Sequence, residues 1–518
     1  MSASSSALCL SRHLREAPDP QVLYRQLSGG APGTLLFETG EALEGAGRRS
    51  ILVPAVAARL ECRGSEVRIA AVSAQGAGIV AKVAADLPGY VRERTESEVR
   101  LAFPRTEETE DEARLRAPSP LDALRALVRF DVTGDTGPFA VFAAGVFAYD
   151  FVEVFEPLPA PASDPLGYPD AVFFLAESAV LIDGVAGVTR LYATAFGDDR
   201  RAVHDAERRI AALAQACEEA IASPTPSRVI PEGIPSPTAV VDLDDATFER
   251  LVRTMKEHIV AGDVFQIVGS RSFSAPCLDP VAAYGRLRVQ NPSPYHFFFA
   301  DVSGTLFGAS PETSVRVERT QEGLVVHVHP IAGTRRRGAT PDEDDRIEAE
   351  LRLSEKEVAE HMMLVDLARN DIARVAIPGT RRVKPLLSVE RYSQVMHLVS
   401  SVSGRLRPGL DALHAYGASA NMGTLVGAPK VRAAELLRTY EGQKRGAYGG
   451  AIGWLSHDGS FDSAIVIRSA LVKDGVAHVR AGAGIVFDSE PADEADETRR
   501  KAAAVLRAVG ARLPEGKP

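Results

Sequence analysis

The chain has 518 residues, 45% hydrophobic and 25% charged, with a net charge of −10; that balance suits a globular protein of two or three domains. An acidic chain with no basic face is not expected to bind nucleic acid, and the run Arg335-Arg336-Arg337 is too short to change this. Four scattered cysteines (Cys9, Cys62, Cys217, Cys277) form no CxxC pair, so neither a zinc nor a redox motif is expected, and a reducing cytoplasmic compartment is.

In chain order, residues 1–10 lack the basic and long apolar regions of a secretory signal. Short β-like runs at 34–37, 50–57 and 172–182 are separated by polar loops, with an acidic loop at 105–120. The apolar stretch 139–147 is too short to span a bilayer and reads as a buried strand. Helical periodicity covers 198–221 and 243–259. Between them, 223–238 (SPTPSRVIPEGIPSPT) holds five prolines and reads as a linker dividing 1–222 from 239–518. The second half alternates strands at 305–307, 324–329, 450–455, 463–472 and 476–480 with helices at 345–373, 428–441 and 492–509. Asp458-Gly459 and Asp474-Gly475 are hairpin signals and imply antiparallel neighbours. No fixed-period repeat is present.

Two glycine-rich segments imitate nucleotide loops. Ala481-Gly482-Ala483-Gly484 lacks the third glycine of a dinucleotide fingerprint, and Gly423 to Lys430 has the wrong spacing and no Ser or Thr after the lysine. Gly482 and Gly484 can still bring backbone N–H groups close to an anion, or serve as turn glycines. More informative are two Glu-x-x-Glu pairs, Glu357/Glu360 and Glu494/Glu497. On a helix, residues three apart share a face, and four hard oxygens suit Mg²⁺. Ordinary roles compete: Ser354-x-x-Glu357 is a capping-box pattern, and acids following Pro491 complement a helix dipole.

From about 265 to 506, ten blocks occur in a distinctive order: FQIVGSR, NPSPYHFFF, LFGASPET, PIAGTRRRG, EHMMLVDLARND, VMHLVSSVSGRL, MGTLVGAPKVRA, YGGAIGW, DSAIVIRSALV and AGAGIVFDSEPADEADETRRKA. Together they resemble component I, the large subunit, of anthranilate synthase, among the chorismate-utilising enzymes. The first half resembles it mainly at LLFET and FAYDF. The resemblance implies an α+β fold of large antiparallel sheets packed as a sandwich with helices outside. It also implies an N-terminal regulatory domain and a C-terminal chorismate-binding catalytic domain. Glu357, Glu360, Glu494 and Glu497 match acidic residues around Mg²⁺, which binds the ring carboxylate of chorismate. Glu312 matches a general acid for the C4 hydroxyl, and His397 a histidine linked to the elimination step. Thr424, Tyr448, Arg468, Gly482, Gly484 and Lys501 match positions around the substrate carboxylates and pyruvyl group.

Three positions separate the chain from relatives. Gln266 stands where isochorismate and salicylate synthases carry a lysine base for water, so ammonia is the expected nucleophile. Ala332 stands where many aminodeoxychorismate synthases carry a lysine. His397 then points to completion to anthranilate. Leu36-Phe37-Glu38-Thr39 resembles the family's feedback motif, and Asn291, Pro292, Ser293, Pro294 and Tyr295 the second wall of a tryptophan pocket. His296 replaces a methionine there, Trp454 a tyrosine, and Arg49 a rim lysine. The resemblance thus implies inhibition by L-tryptophan, with Glu38 holding its amino group. The chain ends soon after Lys501, and no cysteine sits in a glutaminase context. A separate glutamine amidotransferase subunit, in a heterotetramer, is therefore expected to supply ammonia. The alternatives are a 2-amino-2-deoxyisochorismate synthase, an aminodeoxychorismate synthase or, in a different class, a non-catalytic tryptophan-binding subunit.

Overall fold

The computed structural model describes residues 6–39, 48–106, 108, 110–223, 236–392 and 395–514; most of the expected linker lies outside them. Two long series of antiparallel strands dominate. In the first, Ser6–Leu14, Val188–Phe196, Ala171–Asp183, Arg49–Arg63, Thr34–Thr39, Tyr295–Asp301, Gly304–Ser310, Ser469–Lys473, Val476–Ile485 and Gln266–Pro276 are successive neighbours. In the second, Glu66–Ala71, Arg49–Arg63, Ala171–Asp183, Phe142–Phe147, Ala451–Ser456, Phe461–Ile465, Thr313–Thr320 and Gly323–Val328 follow one another.

The series share one strand pair, Arg49–Arg63 with Ala171–Asp183, whose register shifts repeatedly between Leu52 and Ala58. Pro54 lies in that interval. Proline has no N–H for a ladder, so inside a sheet it belongs at a bulge. Bulges bend and twist the strand, which lets one strand serve two sheets. Helices cover the outside, among them Arg200–Ala222, Asp245–Val260, Lys430–Glu441 and Pro491–Val509. The result is the expected α+β sandwich. No helix among the described residues is long and apolar enough to cross a membrane.

Local expectations hold at the hairpins. Asp474 and Gly475 have φ of 51° and 76°, as a two-residue type I′ turn requires, and they join Ser469–Lys473 to Val476–Ile485. Two expected elements are divided instead. The helix read at 345–373 is two helices, Pro341–Leu353 and Glu355–Ala373. Ser354 separates them, its hydroxyl accepting from the Glu357 N–H at 3.5 Å, so capping wins over helix continuation. The strand read at 463–472 is also two, Phe461–Ile465 and Ser469–Lys473. The chain leaves the second series there and enters the first.

Strands from either side of the linker pair directly: Thr34–Thr39 with Tyr295–Asp301, and Phe142–Phe147 with Ala451–Ser456. Phe174 stacks on Phe299 at 4.7 Å across the same junction. A buried fork adds to it, Arg59 donating to both oxygens of Asp301 at 2.7 and 2.8 Å. Arg59 also pairs with Glu61 at 2.5 Å, so loss of Asp301 removes the fork but leaves the guanidinium one carboxylate. Asp301→Ala is therefore expected to cost about 1.5–3 kcal/mol in denaturant unfolding, the scale of hydrogen bonds to a charged group; a loss below about 0.5 kcal/mol would show that the fork is not a fastening.

Candidate active site

Glu312 and Arg468 lie where two strands cross between the sheets. Glu312 falls between Gly304–Ser310 and Thr313–Thr320, and Arg468 between Phe461–Ile465 and Ser469–Lys473. Backbone bonds stitch the region: Ile465 N–H donates to the Glu312 carbonyl at 3.0 Å, and Ala309 N–H to the Arg468 carbonyl at 3.1 Å. Arg468 has φ of +50°, a conformation disfavoured for a residue with a Cβ. The Glu312 side chain is buried and accepts from Thr424 Oγ1 at 3.0 Å. Burial pushes its carboxyl up to about 8, against the pull of the Thr424 bond and the Lys501 charge.

One wall is the strand Val476–Ile485, paired with Gln266–Pro276. A Cβ on Gly482 would lie 2.9 Å from the Tyr448 hydroxyl oxygen, and one on Gly484 3.0 Å from Gln266 Nε2. Both glycines are close-approach positions within a strand, not turn residues. Gln266 is buried, and its amide oxygen has no hydrogen-bond partner among the described residues. Lys501 donates to the Gly482 carbonyl at 2.9 Å and pairs with Glu497 at 2.5 Å, while Arg468 donates to the Lys501 carbonyl at 3.1 Å. Arg468, Lys501, Gly482 and Tyr448 are thus joined by short contacts, Thr424 is joined to Glu312, and Gly484 faces Gln266.

Each glutamate pair lies near the start of its helix, Glu355–Ala373 or Pro491–Val509. Burial raises the Glu360 carboxyl, and the charges of Glu357 and Glu497 add to the effect. Burial also raises Glu494, with Glu497 contributing. One buried Glu494 oxygen has no hydrogen-bond partner among the described residues. The two helices therefore bring their carboxylates within electrostatic reach. They do not form a ready cage: Arg335 occupies Glu357 at 2.8 Å, and no cluster of three acidic, His or Cys side chains among the described residues is close enough to hold a metal. The crowded, incompletely satisfied oxygens still match a hard divalent cation that keeps waters and takes substrate oxygens.

His397 lies on the small sheet Ile331–Arg336, Val395–Val399 and Ser388–Arg391. Its Nδ1 is 2.9 Å from Thr334 Oγ1. Burial takes the imidazole down to about 4, with the nearby Arg468 charge acting in the same direction, so the ring is neutral at pH 7.

The second group of residues surrounds Glu38, which lies opposite His296 on paired strands. Buried Glu38 accepts from Arg288 at 2.6 Å and from the Tyr284 hydroxyl at 3.1 Å, and its other oxygen has no hydrogen-bond partner among the described residues. His296 Nε2 meets the Asn291 carbonyl at 3.0 Å, and Asn291 reaches Ser293 at 3.3 Å. The intervening Pro292 and Pro294 are half-buried. Tyr295 donates to Asp462 at 3.2 Å, and Asp462 lies opposite Trp454. Thr39 and Arg49 pair at the strand end, where Arg49 reaches Asp183 at 3.1 Å instead of Glu38.

Sequence reasoning did not single out Arg288 and Tyr284, which hold Glu38, or Glu441, Arg445 and Arg480 beneath Tyr448. The Glu441/Arg445 spacing of four was the only available signal, and it is commonplace on exposed helices.

Comparison with known proteins places the chain in a family. The profile described as "chorismate binding enzyme" matches residues 86–507. Anthranilate synthase component 1 of Vibrio cholerae is 46% identical, over 95% of this chain and 94% of that protein. The pyocyanine-specific anthranilate synthase component 1 of Pseudomonas aeruginosa is 48% identical, over 95% and 92%. Among solved structures, anthranilate synthase component I from Streptococcus pneumoniae superposes with a TM-score of 0.70 at 32% identity, covering 90% of this chain and 94% of that one. The chain belongs to the chorismate-binding enzyme family, in its anthranilate synthase component I branch.

Proposed function

We propose that these side chains convert chorismate and ammonia to anthranilate, pyruvate and water, with Glu312 as the proton donor. Ammonia forms a bond to C2 as the C4 hydroxyl leaves; the C2 proton and the enolpyruvyl group are then lost and the ring becomes aromatic. The observation that carries this reading is the buried Glu312 carboxyl, pushed up to about 8 beside Thr424. It holds its proton at neutral pH and can give it to a hydroxyl that would otherwise depart as hydroxide. Positioned acids of this kind contribute about 10²–10⁴ in rate.

Gln266 has no group able to take a proton from water, whereas neutral ammonia attacks without a base. His397, unprotonated at pH 7, is suited to accept the C2 proton during pyruvate loss. That favours anthranilate over a halt at the aminated intermediate. In this reading Arg468, Lys501, Tyr448 and the N–H groups near Gly482 and Gly484 receive the two carboxylates and the pyruvyl group. Mg²⁺ would be held by Glu360 and Glu494, with Glu357 and Glu497 beside them, and would neutralise and orient the ring carboxylate.

The relatives' designation as component 1 supports a separate glutaminase partner, and we extend this to a cytoplasmic heterotetramer. L-Tryptophan is the proposed inhibitor, its ammonium group meeting the Glu38 oxygen that has no hydrogen-bond partner among the described residues.

Two measurements test these roles. With the concentration of neutral ammonia held constant, kcat is expected to be flat below pH about 8 and to fall as Glu312 loses its proton above it. Glu312→Gln should lower kcat about 10²–10⁴-fold; parent-like turnover by this variant would remove Glu312 from the chemistry. Glu38→Ala should raise the tryptophan concentration for half-inhibition by about 10–100-fold, as loss of a charge-assisted hydrogen bond requires. Unchanged inhibition would place the inhibitor elsewhere.

A further inference from the structure

Beneath the proposed substrate site lies a polar cluster to which no step of that chemistry assigns a task. Glu441 is the last residue of the helix Lys430–Glu441, and its carboxylate is buried. Five donors reach it: the Ser270 N–H and hydroxyl at 2.9 and 2.8 Å, Arg445 Nε and Nη2 at 2.8 and 2.7 Å, and Arg480 Nη2 at 2.8 Å. Both arginines are buried. Arg445 also donates to the Leu425 carbonyl at 2.8 Å and the Val268 carbonyl at 2.6 Å. Arg480 Nε donates to the Ser270 hydroxyl at 2.8 Å.

Each contact ends beside a residue of the site. Leu425 follows Thr424, the partner of Glu312. Val268 lies two residues from Gln266 and opposite Gly484, and Ser270 lies opposite Gly482. The Arg445 guanidinium sits 4.7 Å from the Tyr149 ring centroid and 5.9 Å from that of Tyr448. Buried ion pairs are often no more stabilising than apolar packing of the same volume, so stability alone is a poor reason for two guanidinium groups here. Their fixed forks, with donors in set directions, hold separate chain segments at a defined spacing.

We propose that Glu441, Arg445 and Arg480 form one positioning unit that sets the distance between the Thr424–Glu312 side of the site and the Gln266–Gly484 wall. None of the three is a catalytic residue. The inference rests on the anthranilate-forming reading above.

A cavity of about 270 Å³ lined in part by Arg445, Tyr448 and Arg480 makes a direct test possible. Arg480→Ala should lower kcat with chorismate and ammonium by about 10²-fold, the scale of a misplacement near 1 Å. Low-millimolar guanidinium chloride, entering that cavity, should recover about tenfold of the loss, and equal sodium chloride should recover none. A kcat within about threefold of the parent, or a folded variant that guanidinium does not rescue, overturns the proposal. Should Arg480→Ala not fold, Arg480→Lys keeps the charge but cannot bridge Glu441 and Ser270 at once. It should lower kcat about tenfold with little change in chorismate KM, and parent-like kcat overturns the proposal. A parent chain that makes no anthranilate overturns the functional reading and this inference together; an active parent with unaffected variants overturns this inference alone.

Discussion

Two crossings of the chain between the same pair of sheets, at 310–313 and 465–469, set the geometry on which the rest of the site depends. A residue inside a ladder must point to one face or the other. A residue in a crossing is released from that alternation, and Glu312 and Arg468 are such residues. Hydrogen bonds from Ile465 to Glu312 and from Ala309 to Arg468 hold the crossings together. The positive φ of Arg468 costs on the order of 1–3 kcal/mol and persists only where surrounding structure enforces it. Here that structure is a pair of sheets built from both halves of the chain.

The same arrangement places Glu38 a short way from Glu312 across the sheet. His296 lies opposite Glu38 on one side and Ala309 on the other, and Ala309 is three residues before Glu312. A ligand that altered the spacing of these strands would act one strand away from the proposed proton donor. Coupling of that kind becomes allostery only when two states with different affinities exist.

Locally encoded features were legible in the sequence. The Asp474-Gly475 hairpin, the helices near 198–221 and 243–259, and the buried run ending at Phe147 follow from turn chemistry and periodicity, and they appear within a few residues of expectation. The crossing at Arg468 was not legible: residues 463–472 read as one β-rich segment with no Pro or Gly to mark a break. It arises because Thr313–Thr320 captures one end and Gly304–Ser310 the other, both distant in sequence. The pairing of the halves is non-local for the same reason. The glutamate pairs were visible as pairs, but their mutual approach depends on packing of the helices that carry them. Glu441, Arg445 and Arg480 resemble ordinary surface charges in sequence, and only burial gives them significance.

The central claim is that the groups gathered at these crossings carry chorismate through amination and pyruvate loss. The direct measurement is product stoichiometry for the purified chain with chorismate, Mg²⁺ and ammonium at mildly alkaline pH. Anthranilate would be followed by fluorescence and pyruvate by a coupled reduction. The account predicts equimolar anthranilate and pyruvate for each chorismate consumed. Accumulation of an aminated, pyruvyl-bearing product without anthranilate, or no consumption of chorismate, would contradict it.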